Sequence, residues 1–148
     1  MQLVLDGNAP DIDGARLVCL RNPAPTRQRC PDDDVFEEND SELTATVMNS
    51  GASVNAIVCR GDDDDRFRID VPAAGRVVRA KARFIQVDGD VDMELLNPRG
   101  QEVAASRGSS DDESITFMAS DVGDHVVRVF HVNGAENSYD VGVTVTCR

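Results

Sequence analysis

The sequence predicts an all-β protein, a jelly-roll-like β-sandwich of about eight antiparallel strands. Three observations carry that prediction. Short segments alternate apolar and polar residues with a period of two, the spacing that buries one face of a strand. Clusters of Gly, Pro, Asn and Asp separate these segments at short, regular intervals, the pattern of a sandwich or barrel. Among the 148 residues Asp outnumbers Glu 20 to 7, and Asp favours turns, corners and ion sites over helix interiors.

Taken in order, residues 1–31 read as an extension or linker. Asn8-Ala9-Pro10, Asp13-Gly14 and Asn22-Pro23-Ala24-Pro25 punctuate it around one strand-like piece at 15–20. The sandwich is assigned to residues 32–148. Ser41 to Met48 begins with residues that cap a helical turn, although Thr44, Thr46 and Val47 oppose a longer helix. Val54 to Cys59 is a strand. The acidic run Asp62-Asp63-Asp64-Asp65 forms a charged corner and leads into Arg66 to Val71, where Phe67, Ile69 and Val71 alternate inward.

Pro72-Ala73-Ala74-Gly75 is a turn, and Arg76 to Ile85 a longer strand with Arg79, Lys81 and Arg83 on one face. Asp88-Gly89-Asp90 makes a corner before the alternation of Val91, Met93 and Leu95. Asn97-Pro98-Arg99-Gly100 places Pro and Gly where a β-turn favours them. Glu102 to Ser106 and Ser114 to Met118 are short strands, and Asp124 to Val132 and Ser138 to Thr146 flank a hairpin loop at 133–137.

Charge and cysteine content narrow the class of function. A net charge of −12, from 27 acids against 15 bases, opposes nucleic acid and anionic membrane surfaces as partners and favours cations or basic partners. No apolar run is long enough for membrane insertion. Met1-Gln2-Leu3-Val4-Leu5 meets Asp6 too early for a targeting segment, so an exported form of this chain is expected to be a fragment or to have lost its signal.

Cys19, Cys30, Cys59 and Cys147 lack the close paired spacing of a zinc site, which favours disulfides in an oxidising compartment. Of three pairings, Cys19 with Cys30 and Cys59 with Cys147 is preferred. The first closes a local loop. The second ties an early strand to the last and would contribute about 4 to 5 kcal/mol through chain entropy.

Calcium takes six to eight hard oxygens, and two oxygen-rich stretches supply them. Glu37, Asn39 and Asp40 with Asp62, Asp63 or Asp65 form a candidate set, against the alternative of a capped turn and a solvated acidic surface. Asp88, Asp90 and Asp92 mimic the start of an EF-hand loop, but Met93 replaces its Gly and Arg99 its closing Glu, so a strand corner is the reading there.

His125 and His131 fall about 20 Å apart on an extended strand, too far to share a metal, and read as surface or rim residues. Ser106, Ser109 and Ser110 sit in no catalytic signature. Arg66 and Arg68 alternate on one strand and Arg79, Lys81 and Arg83 on the next. Were those strands neighbours, five cations would line one face and dock an acidic partner, unless they pair with Asp92 and Glu94.

Five motifs in order resemble the bacterial pre-peptidase C-terminal domain family, related to clostridial collagen-binding domains. They are Phe36-Glu37-Glu38-Asn39-Asp40-Ser41, Asp63-Asp64-Asp65-Arg66-Phe67, Pro72-Ala73-Ala74-Gly75, Gly89 to Gly100 with Val103-Ala104-Ala105-Ser106, and Gly123 to Val129 with Tyr139-Asp140-Val141. The resemblance spans 32 to about 146. It implies a secreted or cell-surface accessory module without catalysis of its own, working beside the catalytic or surface domain of a parent protein in export, maturation or attachment to an extracellular protein or polysaccharide.

In related collagen-binding modules the matching segments hold calcium, which implies Glu37, Asn39, Asp40, Asp63 and Asp65. Val35 departs from the pattern, standing two residues before Glu37 where those relatives place an acid. Two alternatives stay open: a disulfide-stapled adhesion repeat without metal, and a carbohydrate-binding module. Five Phe, one Tyr and no Trp supply a sugar-stacking surface poorly.

Overall fold

The structure, a computed structural model, describes residues 34–61 and 63–148. The expected extension at 1–31, the Cys19–Cys30 pair and Asp62 lie outside the described residues. Within them the chain forms nine strands and no helix: β1 Thr46–Val47, β2 Ser53–Val58, β3 Asp64–Val71, β4 Val77–Arg83, β5 Gly89–Leu96, β6 Glu102–Ser106, β7 Asp112–Met118, β8 Gly123–Gly134 and β9 Asn137–Thr146. They build a five-stranded sheet in the order β1-β3-β8-β5-β6 and a four-stranded sheet in the order β2-β9-β4-β7. The two-residue β1 pairs parallel with β3, and the other pairs are antiparallel.

The expected sandwich is therefore present, with one additional short strand. Residues 41–44 form a turn closed by Thr44 N donating to Ser41 O at 3.1 Å, in place of the anticipated helical turn. β-branched Thr46 and Val47 then pair with β3 rather than continue it.

The period-two alternation decides what is buried. Phe67, Ile69 and Val71 of β3, Val78, Ala80 and Ala82 of β4, Val91, Met93 and Leu95 of β5, and Val141 and Val143 of β9 meet in one core. Antiparallel registers gather the end of β2, the start of β3, the end of β4, the starts of β5 and β7, the end of β8 and the start of β9 at one end of the sandwich. The turn at 97–100 lies at the other end. There Asn97 Oδ1 accepts from the amides of Arg99 and Gln101, and Gly100 adopts φ 72°.

That polarity overturns the Cys59–Cys147 pairing. Cys59 follows β2 where Val58 pairs with Asn137, whereas Cys147 follows the far end of β9, about 30 Å away along that strand. Cys147 is exposed and free, and it accepts from the Arg76 guanidinium.

The joint cationic face is also absent, because β3 and β4 belong to different sheets. Nor do Arg66 and Arg68 reach Asp92 or Glu94, since β8 lies between β3 and β5. Arg128 of that central strand takes the position instead. It pairs with Asp64 at 2.8 Å and Glu94 at 3.0 Å, and its guanidinium sits 4.5 Å over the Phe130 ring. Arg66 approaches Asp64 at 3.7 Å, and Arg68 approaches Asp124 at 3.7 Å.

His125 is not a rim residue: it is fully buried, with Nδ1 3.1 Å from Gly123 O, because its position on β8 shares the inward parity of Val127 and Val129.

Asp92 is buried beside Asp90, Glu113 and Glu94, and burial followed by those acids pushes its carboxyl up to about 6, with Arg107 opposing. The folded chain thus holds a proton there that the unfolded chain has released between about pH 4 and 6. Stability is lost as pH rises through that window. Asp92→Asn is expected to gain about 1 to 2 kcal/mol in urea unfolding at pH 7.5 and nothing at pH 4. Equal effects at both values would remove the electrostatic account.

Candidate metal centre

The acidic end is built by the same alternation that makes the core. β3 starts at Asp64, two residues earlier than the apolar pattern alone marks, so Asp65 falls on the inward face with Phe67, Ile69 and Val71. A carboxyl is thereby drawn to 0% exposure. Its Oδ2 accepts a short hydrogen bond from the hydroxyl of Tyr139, itself fully buried at the start of β9. Its Oδ1 is buried with no hydrogen-bond partner.

Residues 34–40 lie at this end, anchored ahead of Glu37. Asp34 Oδ2 accepts from Ile57 N of β2 at 2.6 Å, and Asp34 Oδ1 accepts from Phe36 N at 2.8 Å. The Phe36 ring packs edge-on against Phe67, with centroids 6.2 Å apart and planes at 74°. Just past the same end of β2, Cys59 N donates to Asp63 Oδ2 at 2.7 Å and closes the corner between β2 and β3. Asp34 thus occupies the Ile57 amide on β2, an edge strand of its sheet, where an unpaired donor would otherwise invite another strand, and Asp63 occupies the amide just after the strand.

Two groups of carboxylates result, Asp34 with Glu37 and Asp65, and Glu37 with Asp40 and Asp63. Within each group the ligand oxygens lie within 4.8 Å of one another. Oxygens around one calcium ion at about 2.3 to 2.6 Å can be no more than about 5 Å apart, so the spacing fits that ion. The donor chemistry fits as well: all are hard oxygens, and Asn39 beside them is fully buried with neither its Oδ1 nor its Nδ2 hydrogen-bonded.

Electrostatics describe the same place. Burial, and then Asp34, Asp63 and Glu37, push the Asp65 carboxyl up to about 9 against the opposing hydrogen bond from Tyr139. Burial and the adjacent Asp65 hold the Tyr139 hydroxyl well above its ordinary value.

Of the residues singled out from sequence, Glu37, Asp40 and Asp63 meet in one group and Asp65 joins Glu37 in the other. Asn39 is buried in the same segment, and Asp62 is outside the described residues. Asp34 was missed. Its signal was available: the pattern wants an acid ahead of Glu37, Val35 is not one, and Asp34 stands next to it. The serine and histidine side chains carry structural bonds, Ser106 Oγ donating to buried Glu113 and His131 Nε2 lying 2.9 Å from Ala135 O.

Fold and site together define a small β-sandwich with an oxygen-rich centre at one end. Solved structures share the architecture. The pre-peptidase C-terminal domain of collagenase from Bacillus anthracis matches with a TM-score of 0.57 at 14% identity, covering 68% of this chain and 94% of that domain. PliG of Aeromonas hydrophila, a periplasmic inhibitor of g-type lysozyme, matches with a TM-score of 0.55 at 10% identity, covering 69% of this chain and 99% of its own. No protein-family model matches the chain, and no curated protein matches it in sequence. The resemblance seen in the motifs thus has a structural counterpart in the pre-peptidase C-terminal fold.

Proposed function

We propose that this chain is a non-catalytic accessory module of a larger secreted protein, and that calcium ties residues 34–40 to the sandwich through Glu37, Asn39, Asp40, Asp63 and Asp65, with Asp34 added to the set. The observation that carries this reading is the buried Asp65 carboxyl, which groups with Asp34 and Glu37 and whose Oδ1 has no hydrogen-bond partner. Such a group is costly unless a cation or proton satisfies it.

A bound calcium ion would supply charge neutralisation and oxygen coordination. The chain's own residues do the rest. Tyr139 orients Asp65, Phe36 and Asp34 hold the segment against β3 and β2, and Asp63 fixes the corner. Ordering 34–40 in this way sets the direction in which any preceding part of the protein leaves the module, which suits a spacer beside a catalytic or surface domain. The fold shared with the collagenase domain supports this reading over a carbohydrate-binding one.

A disulfide belongs to the same proposal. Cys59 is buried and is not a free thiol.

Calcium titration by calorimetry tests the metal reading directly. Wild type is expected to bind, and Asp40→Ala and Asp63→Ala to weaken binding at least about tenfold, a loss of about 1.4 kcal/mol for each. Absence of binding at millimolar calcium would refute it.

A further inference from the structure

We propose that a groove beside the acidic centre, between the 84–88 loop and the β8–β9 turn, docks a basic segment of a partner protein that carries both Lys or Arg and aliphatic residues. The groove is open to solvent, with a volume of about 730 Å³. Its large exposed apolar side chains are Ile85 and Val87, 57% and 89% exposed. Two β-branched side chains on adjoining odd positions are displayed to solvent, though β4 and β5 on either side bury theirs.

The loop that displays them is fixed. Phe84 N donates to Asp111 O at 2.9 Å, and Gln86 N to Asp111 Oδ1 at 2.9 Å. The Asn137 amide donates to Ile85 O at 2.8 Å and to Gly89 O at 2.7 Å. The facing turn is locked to β5, since a Cβ on Gly89 would lie 2.2 Å from the Ala135 carbonyl oxygen. An apolar pair held this firmly has already met the ordering cost that a docking surface otherwise incurs on binding.

Charge selects the occupant. Asp88, Glu136 and Asp140 line the groove against a single cation, Arg83, which is itself cross-strand from Asp140 and Asp112. The molecule as a whole carries −12, so its field attracts a cationic partner and repels an acidic one. Ile85 and Val87 stand on a turn closed by Asp88 N donating to Ile85 O at 3.0 Å, which turns both side chains out to solvent. Aliphatic side chains of such a segment meet Ile85 and Val87, and its cations meet the three carboxylates.

This inference stands independently of the calcium reading, and its test separates the two. A displayed library of random dodecapeptides is selected on the full chain in calcium, and the resulting consensus is synthesised and titrated by fluorescence anisotropy. The expected consensus combines Lys or Arg with Ile, Leu or Val. The double variant Ile85→Ser, Val87→Ser is expected to bind it at least about tenfold more weakly. Glu136→Lys should weaken binding and flatten its dependence on salt.

All three side chains are exposed, so these variants are expected to keep the wild-type unfolding midpoint and its response to calcium. Selection of no consensus or an acidic one, or equal binding by the double variant, overturns the proposal.

Discussion

Saturating calcium is expected to raise the thermal midpoint of the oxidised protein by about 10 °C or more, and Asp65→Asn to abolish that rise. An ion that binds only the folded chain stabilises it by about 2.7 kcal/mol at a hundredfold excess over its Kd. For a domain of this size each kcal/mol moves the midpoint by about 4 °C or more.

Asp65→Asn separates the site from the fold, because the amide keeps an oxygen to accept from Tyr139 while losing the charge an ion would meet. In chelator the same variant is expected to match or exceed wild type. It deletes a carboxyl that burial and three neighbouring acids set against ionisation. Asp65→Asn is thus expected to be stabilising without calcium and destabilising relative to wild type with it, a crossing that a merely structural carboxyl would not produce. If calcium leaves the wild-type midpoint unchanged, the acidic end is not a calcium site.

Much of this was legible in the sequence, for a physical reason. A strand buried on one face repeats every two residues whatever its partners are, so the alternation at Phe67, Ile69 and Val71 or at Val91, Met93 and Leu95 reads directly as strand and core. Turn chemistry is equally local, as Asn97-Pro98-Arg99-Gly100 shows.

Which strands become neighbours is not local. Arg66 and Arg79 stand on consecutive long strands, and only the crossing of the chain between sheets places them apart. The same non-locality hid the separation of Cys59 from Cys147. Asp65 is a different case: extending the odd-numbered parity of Phe67 back by one step predicts its burial, but the surrounding run of aspartates reads as a solvated corner. His125 follows the same logic, with its inward parity set by Val127 and Val129 although its chemistry suggests surface. Asp34 was obscured because its role depends on Ile57, 23 residues away, offering an amide.

Phe67→Ala is expected to produce the largest single loss of stability, about 3 to 5 kcal/mol in urea unfolding, because a fully buried ring in the middle of β3 leaves a cavity that paired strands cannot close. That is a substantial share of the 5 to 15 kcal/mol that holds a typical domain folded. The same ring is the surface on which Phe36 rests, and Phe36 adjoins Glu37.

Removing the partner ring therefore loosens residues 34–40 as well as the core, and calcium affinity should fall along with stability. Phe36→Ala isolates the second effect. Half-buried and outside both sheets, it should cost only about 1 to 2 kcal/mol of stability yet weaken calcium binding by about as much as Phe67→Ala does. Both variants remain measurable by calorimetry below their unfolding midpoints. If Phe36→Ala binds calcium as wild type does, the aromatic contact does not position Glu37, and the hydrogen bond from Ile57 to Asp34 is left as the anchor of the segment.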